Sequence, residues 1–481
     1  MDMILNLPKN ILHEILLRMP IEDAIRANIL SKSWRETCST FPVLVFFDEP
    51  EIKKKRIRDE QDLQEMVDII TERSKFLNRV DSTLESFYDQ GLAIKHFGLV
   101  LNFSDPHIVS SLVDHWIELA CLSGLEELFF AFGFDRPNPR ICEWYRFPLI
   151  SILESKSLVF LSLKGCIRLD KSLFITTMFS SSLRTLSLVK VFVEEAHVFH
   201  HLISCCPVIE YLTLDNCFGG LEYMRIHNLP KLKCFTFRGP QEVDVHGARS
   251  LELFQYIATG NNSTPYIDTT TSSTLKRLDF DCPSNNLVLT DMWFLELFHK
   301  FSCLERLQLT NCNLSRDMHL SSVQLRVLKI AWCRNLENAW INAPNLVSFS
   351  YQVTESSTSM ANMSFDSCIN PTCLEFNVVV DTFWSQHFTN IRKFLQNIEP
   401  KNLLESVVLT LTVKTLLWEM LIRDGVCYCD SFDTKCWWHG LKDVQVIRSS
   451  KDGNEVMNCT VLLFLLPLLL SEEEITFKLE A

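Results

Sequence analysis

A chain of 481 residues with 47% hydrophobic side chains has ample material for a large core, and its length corresponds to two to four domains. A net charge of -13 and a pI near 5.5 weigh against a dedicated nucleic-acid binder, which needs a concentrated basic surface. The longest apolar run, Val461 to Leu470, contains Pro467 and abuts Glu472, Glu473 and Glu474. It is well short of the ~20 residues that span a bilayer, so it reads as a buried helix and no membrane partner is expected.

The chain opens on a short helical module. Pro8 suits the first position of a helix, where its missing N–H costs nothing. Ile11, Leu12, Ile15, Leu16 and Met19 then repeat at helical spacing and make one apolar stripe. Pro20 ends that helix. A second helix fits Glu22 to Ile29, and Ser31 can cap a third running through Trp34 to about Ser39. Three short helices bury this much Leu, Ile and Trp poorly on their own, so part of the stripe should dock on another protein. The competing reading is a helical cap on the following domain.

This module resembles an F-box, the segment by which a substrate receptor docks on the Skp adaptor of a cullin-based ubiquitin ligase. The match is the Leu7-Pro8 opening, the Ile11-Leu12 pair, the Met19-Pro20 break, Arg26, and Leu30-Ser31-Lys32 followed by Trp34-Arg35. Cys38 departs from it, standing where plant F-boxes usually have a second Trp. The resemblance implies that Leu7, Pro8, Ile11, Ile15, Leu16 and Pro20 form the adaptor-binding edge.

No export signal is expected, because this module starts almost at Met1 and Asp2 and Glu14 interrupt any apolar run. The expected location is therefore cytoplasmic and/or nuclear, with the 18 cysteines as free thiols. Triplets such as Asn102-Phe103-Ser104 would then go unglycosylated. Residues 46–90 are charge-rich. The run Lys53 to Arg58 reads as a nuclear import signal or as a solvated linker. Beyond it, Leu63, Met66, Val67, Ile70, Phe76 and Leu77 have helical spacing and should pack on the next domain.

From about residue 95 a Leu-x-x-Leu-x-Leu phrase recurs. It runs through Leu125/Leu128/Phe130, Leu158/Leu161/Leu163, Leu183/Leu186/Leu188, Ile209/Leu212/Leu214 and Leu232/Phe235/Phe237. Later copies are Leu275/Leu278/Phe280, Leu304/Leu307/Leu309, Leu325/Leu328/Ile330 and Leu346/Phe349/Tyr351. Cys166, Cys217, Cys312 and Cys333 close several copies as small turn residues. The last two apolar positions face one side of a short strand. No unit buries that edge alone, so strands stack in parallel and the leucines fuse into one core. Glu195 to Cys205 and Asp291 to Phe301 carry helical spacing and should form a convex face. The fold class is thus α/β: a small all-helical module, then a curved leucine-rich-repeat solenoid with parallel strands concave and helices convex. A doubly wound α/β enzyme would need a phosphate-cradling glycine loop, and the sequence has neither Gly-x-Gly-x-x-Gly nor a Walker motif.

The repeats resemble those of plant F-box proteins with leucine-rich repeats, as at Lys156 to Cys166, Leu202 to Leu212, Pro230-Lys231-Leu232 and Ala343 to Leu346. Cys436 to Val446 resembles the start of the FBD module that often closes such chains, although Val461 to Leu470 is more apolar than that module's helix. The implied domains are 1–45 F-box, 46–90 charged linker or helical cap, 91–375 solenoid and 376–481 FBD-like repeats.

Few residues suggest chemistry. Cys427, Cys429, Cys436 and His439 could in principle hold zinc, but Cys-x-Cys is tighter than structural-zinc spacing and Trp437-Trp438 read as core, so no metal is expected. No cofactor and no catalytic residue is expected either. Residues between the leucines point away from the core. Arg277, Asp279, Asp281, Arg306, Gln308 and Lys329 are the candidate target-binding set; the competing reading is an ordinary solvated strand face. The expected role is a non-catalytic substrate receptor of an SCF ubiquitin ligase, its partners a Skp-type adaptor with its cullin complex and an unknown target protein. The alternatives are a scaffold or adaptor-titrating protein that ubiquitinates nothing, and a small-molecule co-receptor.

Overall fold

In a computed structural model of the chain, each copy of the repeated phrase ends in a strand of a parallel ladder, with its apolar positions buried. The structure describes residues 7–19, 32–48, 60–102, 108–133, 144–170, 182–220, 223–240, 242–259, 266–267, 274–283, 287–353, 361–365, 373–378, 407–411, 443–450, 453–457 and 474–480. The expected helix at Glu22–Ile29, the cap Ser31, the basic run at 53–58, the apolar run at 461–470 and the candidate zinc ligands lie outside them. Two compact units are distinguished, Met1–Leu232 and Lys233–Ala481.

The first unit begins with helices α1 (Lys9–Leu17) and α2 (Lys32–Cys38). Its ladder starts at β1 (Val43–Phe47), which pairs in parallel with β2 (His96–Leu101). It continues through β3 (Glu127–Phe132), β4 (Phe160–Gly165), β5 (Thr185–Val189) and β6 (Tyr211–Asp215), each pairing in parallel with the one before. Gly98 sits opposite Val45, where an added Cβ would come within 3.0 Å of a Val45 methyl. Helix α3 (Glu60–Asp89) buries Phe76, Val80, Leu84 and Phe87; of the positions the spacing suggested, Phe76 is inward, Leu77 half-buried and Ile70 exposed. Arg73 Nη2 reaches the Asn102 carbonyl (3.2 Å) and the buried Asp48 carboxylate (3.7 Å), tying α3 to the ladder. Helices α4 (Ser110–Leu122), α5 (Leu149–Leu153) and α6 (Ala196–Cys205) bring the chain back between strands.

In the second unit, β7 (Cys234–Gly239), β8 (Leu253–Ala258), β9 (Arg277–Asp281), β10 (Arg306–Thr310), β11 (Val327–Ala331), β12 (Ser348–Val353), β13 (Cys373–Val378) and β14 (Val407–Leu411) run parallel in that order. The direction then reverses. Strands β15 (Asp443–Ser450), β16 (Gly453–Met457) and β17 (Glu474–Glu480) pair antiparallel, with β17 against both β14 and β15.

The return segments are of two kinds. Asp291–Lys300 forms the expected helix, α7, with Asp291 in its first turn and Lys300 in its last, each favourable to the helix dipole. From Leu304 to Leu325 and from Leu325 to Leu346 the step is too short for a strand, a helix and two turns. There the chain returns as strands Asp317–Ser321 and Asn338–Asn342, continued by Asn362–Ser364 in a second parallel ladder. Its edge is laced by side chains: Asn338 donates to Asp317 (2.7 Å) and Asn362 donates to Asn338 (2.8 Å).

Candidate docking surfaces

Pro8 stands one residue ahead of the position the sequence suggested. It is the N-cap of α1, with ψ 145°, and its carbonyl accepts from Ile11 and Leu12 N–H at 2.9 and 3.1 Å. In α1, Leu12 and Leu16 face inward. Leu16 is 1% exposed and packs against Trp34, Cys38 and Phe41. His13 Nε2 lies 3.1 Å from the Thr37 carbonyl and 3.2 Å from Thr40 Oγ1, which fixes α1 against α2. What stays open is Leu7 (38% exposed), Pro8 and Ile11 (41% exposed); Met19, past the other end of the helix, is exposed as well. Of the six residues assigned to the adaptor edge, these first three are outward, Ile15 is half-buried and Leu16 is interior support. Pro20 lies outside the described residues. Cys38 fills an inward position beside Leu16, and burial pushes its thiol pKa up.

On the second unit the register places Arg277 opposite Arg306 and Asp279 opposite Gln308, with Lys329 next in that row. The six candidate residues therefore do share one strand face, away from Leu278, Phe280, Leu307 and Leu309, which are in the core. They are not equivalent. Arg277 Nε and Nη2 donate to the Asp279 carboxylate at 2.8 to 3.1 Å, which raises the guanidinium pKa further, and Asp279 is only 7% exposed. Asp281 accepts from Asn311 Nδ2 at 2.9 Å, and Gln308 donates to Thr310 at 3.3 Å. Arg306 is exposed and Lys329 half-buried; among the described residues neither has an ion-pair partner. Charge reversal at Arg277 would therefore strand a buried carboxylate, and Arg306 with Lys329 is the cleaner pair for testing the surface.

The turn cysteines are structural. Cys166, Cys217, Cys312 and Cys333 each donate to a carbonyl of the preceding rung at 3.3 to 3.6 Å. Burial pushes Cys217 up to about 12, and the hydrogen bond between Cys312 and Cys333, followed by burial, raises Cys312. Such thiols stay protonated and are poor nucleophiles. Among the described residues no group of three or more His, Cys, Asp or Glu is placed to hold a metal ion, and no helix is long and apolar enough to cross a membrane.

Among the rungs that sequence reasoning missed is Leu251/Phe254/Tyr256, with aromatics at its two strand positions. Trp332 was missed as well. The signal was there: Asn216 precedes Cys217 and Asn311 precedes Cys312, but Trp332 precedes Cys333.

Parallel strands on a buried Leu-x-x-Leu-x-Leu edge, closed by turn thiols, define a leucine-rich-repeat protein with a helical module ahead of it. Comparison with known proteins gives two partial matches. The F-box domain model matches residues 4–46, and the model described as "FBD-associated F-box protein At5g56370, LRR repeats" matches residues 113–294. The chain thus carries an F-box match followed by a leucine-rich-repeat match, and is similar to FBD-associated F-box proteins of Arabidopsis thaliana. It is 24% identical to the putative FBD-associated F-box protein At3g50710 over 72% of this chain and 80% of that one. It is 26% identical to the putative FBD-associated F-box protein At5g50270 over 67% and 75%. It is 30% identical to the putative F-box/LRR-repeat protein At3g28410, but over 44% of this chain and 38% of that one. All three are from Arabidopsis thaliana.

Proposed function

We propose that this chain is the substrate-recognition subunit of an SCF-type ubiquitin ligase. The open edge of Leu7, Pro8 and Ile11 holds a Skp-type adaptor and through it the cullin complex. The outer strand face of the repeats holds a target protein. The chain supplies no reacting group: it acts by raising the local concentration of target lysines near the ubiquitin-charged enzyme. The observation that carries the reading is an apolar edge left exposed on a helical module whose other stripe, Leu12 and Leu16, is already buried. Leu7→Ala with Pro8→Ala removes that edge and leaves Leu16 in place. Affinity purification of the full chain from plant cells with the proteasome inhibited should then lose the Skp subunit. Undiminished recovery of the adaptor would sink the proposal. Adaptor recovery without any protein that accumulates under inhibition would favour the adaptor-titrating alternative.

A further inference from the structure

Asn311 and Trp332 hold the same place on successive rungs. Each follows the last residue of its strand and precedes the turn cysteine. Each has a left-handed backbone, φ 52° and 54°, and each N–H donates to a carbonyl of the next rung, Ala331 at 2.9 Å and Gln352 at 2.8 Å. Asn tolerates that conformation; a bulky side chain does so only under strain. Core packing does not explain the Trp, because Trp332 is 41% exposed. A strained, exposed aromatic is a feature expected of a binding site. Its Cβ leaves the turn as that of Asn311 does, and the Asn311 side chain reaches Asp281 on the outer strand face. Trp332 therefore rims the same face as Arg306 and Lys329.

The charge on that face is positive and local. Lys329 pairs opposite Gln308, two residues beyond Arg306, so the two residues are diagonal neighbours on adjacent strands, with backbones about 7–8 Å apart. Asp279 is neutralised by Arg277; Asp281, which accepts from Asn311, keeps its charge at the edge of the face, so Arg306 and Lys329 leave the six residues with a net positive charge. The chain as a whole carries -13, which repels a long polyanion but not a short acidic segment seated on the two cations. We propose, resting on the receptor reading above, that Trp332, Arg306 and Lys329 are the centre of the target site. The element they take is a short acidic peptide stretch carrying one large apolar side chain, with Trp332 as its anchor.

The test is selection of a random-peptide display library on the full-length chain, then affinities of the selected peptides for variants. Enriched peptides should be net acidic with one aliphatic or aromatic residue. Trp332→Asn should weaken them at least tenfold, as should Arg306→Gln with Lys329→Gln. Because Trp332→Asn copies the residue at 311 and relieves the left-handed strain, its thermal unfolding midpoint should be equal to or above wild type. Loss of binding is then not loss of fold. Neutral or basic consensus peptides, no enrichment at all, or equal retention by both variants would overturn the inference. The Skp subunit should co-purify with all three proteins. Its absence from wild type would instead strike the receptor reading, and its presence alongside negative peptide data strikes only this inference.

Discussion

His200 shows how a single side chain can carry a cost. It lies on α6 with Nε2 buried and, among the described residues, without a hydrogen-bond partner. Burial, then the neighbouring His227, His197 and Arg225, lower its pKa below the ordinary 6.5. The unfolded chain therefore takes up this proton more readily than the folded one. The stability tied to neutral His200 is present above about pH 6.5 and is lost as the pH falls towards the lowered value. His200→Gln should flatten that loss: its unfolding midpoint should drop less between pH 7.5 and 5.5 than wild type does. Parallel curves for the two proteins would show that His200 does not drive the acid sensitivity. Much at this scale was legible in the sequence. Leucines at a fixed phrase have one physical use, and the quoted ones are buried. Leu16 was harder, because a helical stripe does not say which of its residues face the neighbouring helix and which face a partner. Arg277 was harder still, because an ion pair within one strand face, to Asp279, leaves no mark in a hydrophobic pattern.

At the scale of elements, repeat length decides what returns the chain. The longer step from Leu275 to Leu304 holds a helix, and the shorter steps after Leu304 hold strands, so helices on the far side were foreseen for some repeats and absent from others. Strand β8 carries Phe254 and Tyr256 at the two strand positions, as the Phe235/Phe237 and Phe349/Tyr351 rungs carry aromatics. The β8 rings are placed by stacking. Phe254 lies 5.2 Å from Phe235 at an 8° angle, and Tyr256 lies 5.6 Å from Phe237 and 5.4 Å from Phe280. Offset ring stacks between neighbouring rungs add to what burial alone supplies. Phe254→Ala should destabilise the second unit by about 3–5 kcal/mol, read from urea unfolding. A loss below about 1 kcal/mol would mean the rung collapses onto the gap and the stack is not holding it. Because each repeat leans mainly on its neighbours, the first unit should keep its own transition.

For the whole molecule, order along the chain was the legible feature: a docking module, then repeats. The antiparallel closure by β15, β16 and β17 was not, since nothing in the phrase predicts where parallel stacking stops. The proposed account separates two surfaces. One, around Leu7, Pro8 and Ile11, meets the adaptor, and the other, around Arg306, Lys329 and Trp332, meets the target. The most direct test is quantitative co-purification from proteasome-inhibited plant cells, comparing wild type with two double variants. Leu7→Ala with Pro8→Ala should lose the Skp subunit and keep the proteins that accumulate under inhibition. Arg306→Glu with Lys329→Glu should keep the Skp subunit and lose those proteins. If either variant loses both classes while still folded, or if neither loses anything, the two-surface account is contradicted.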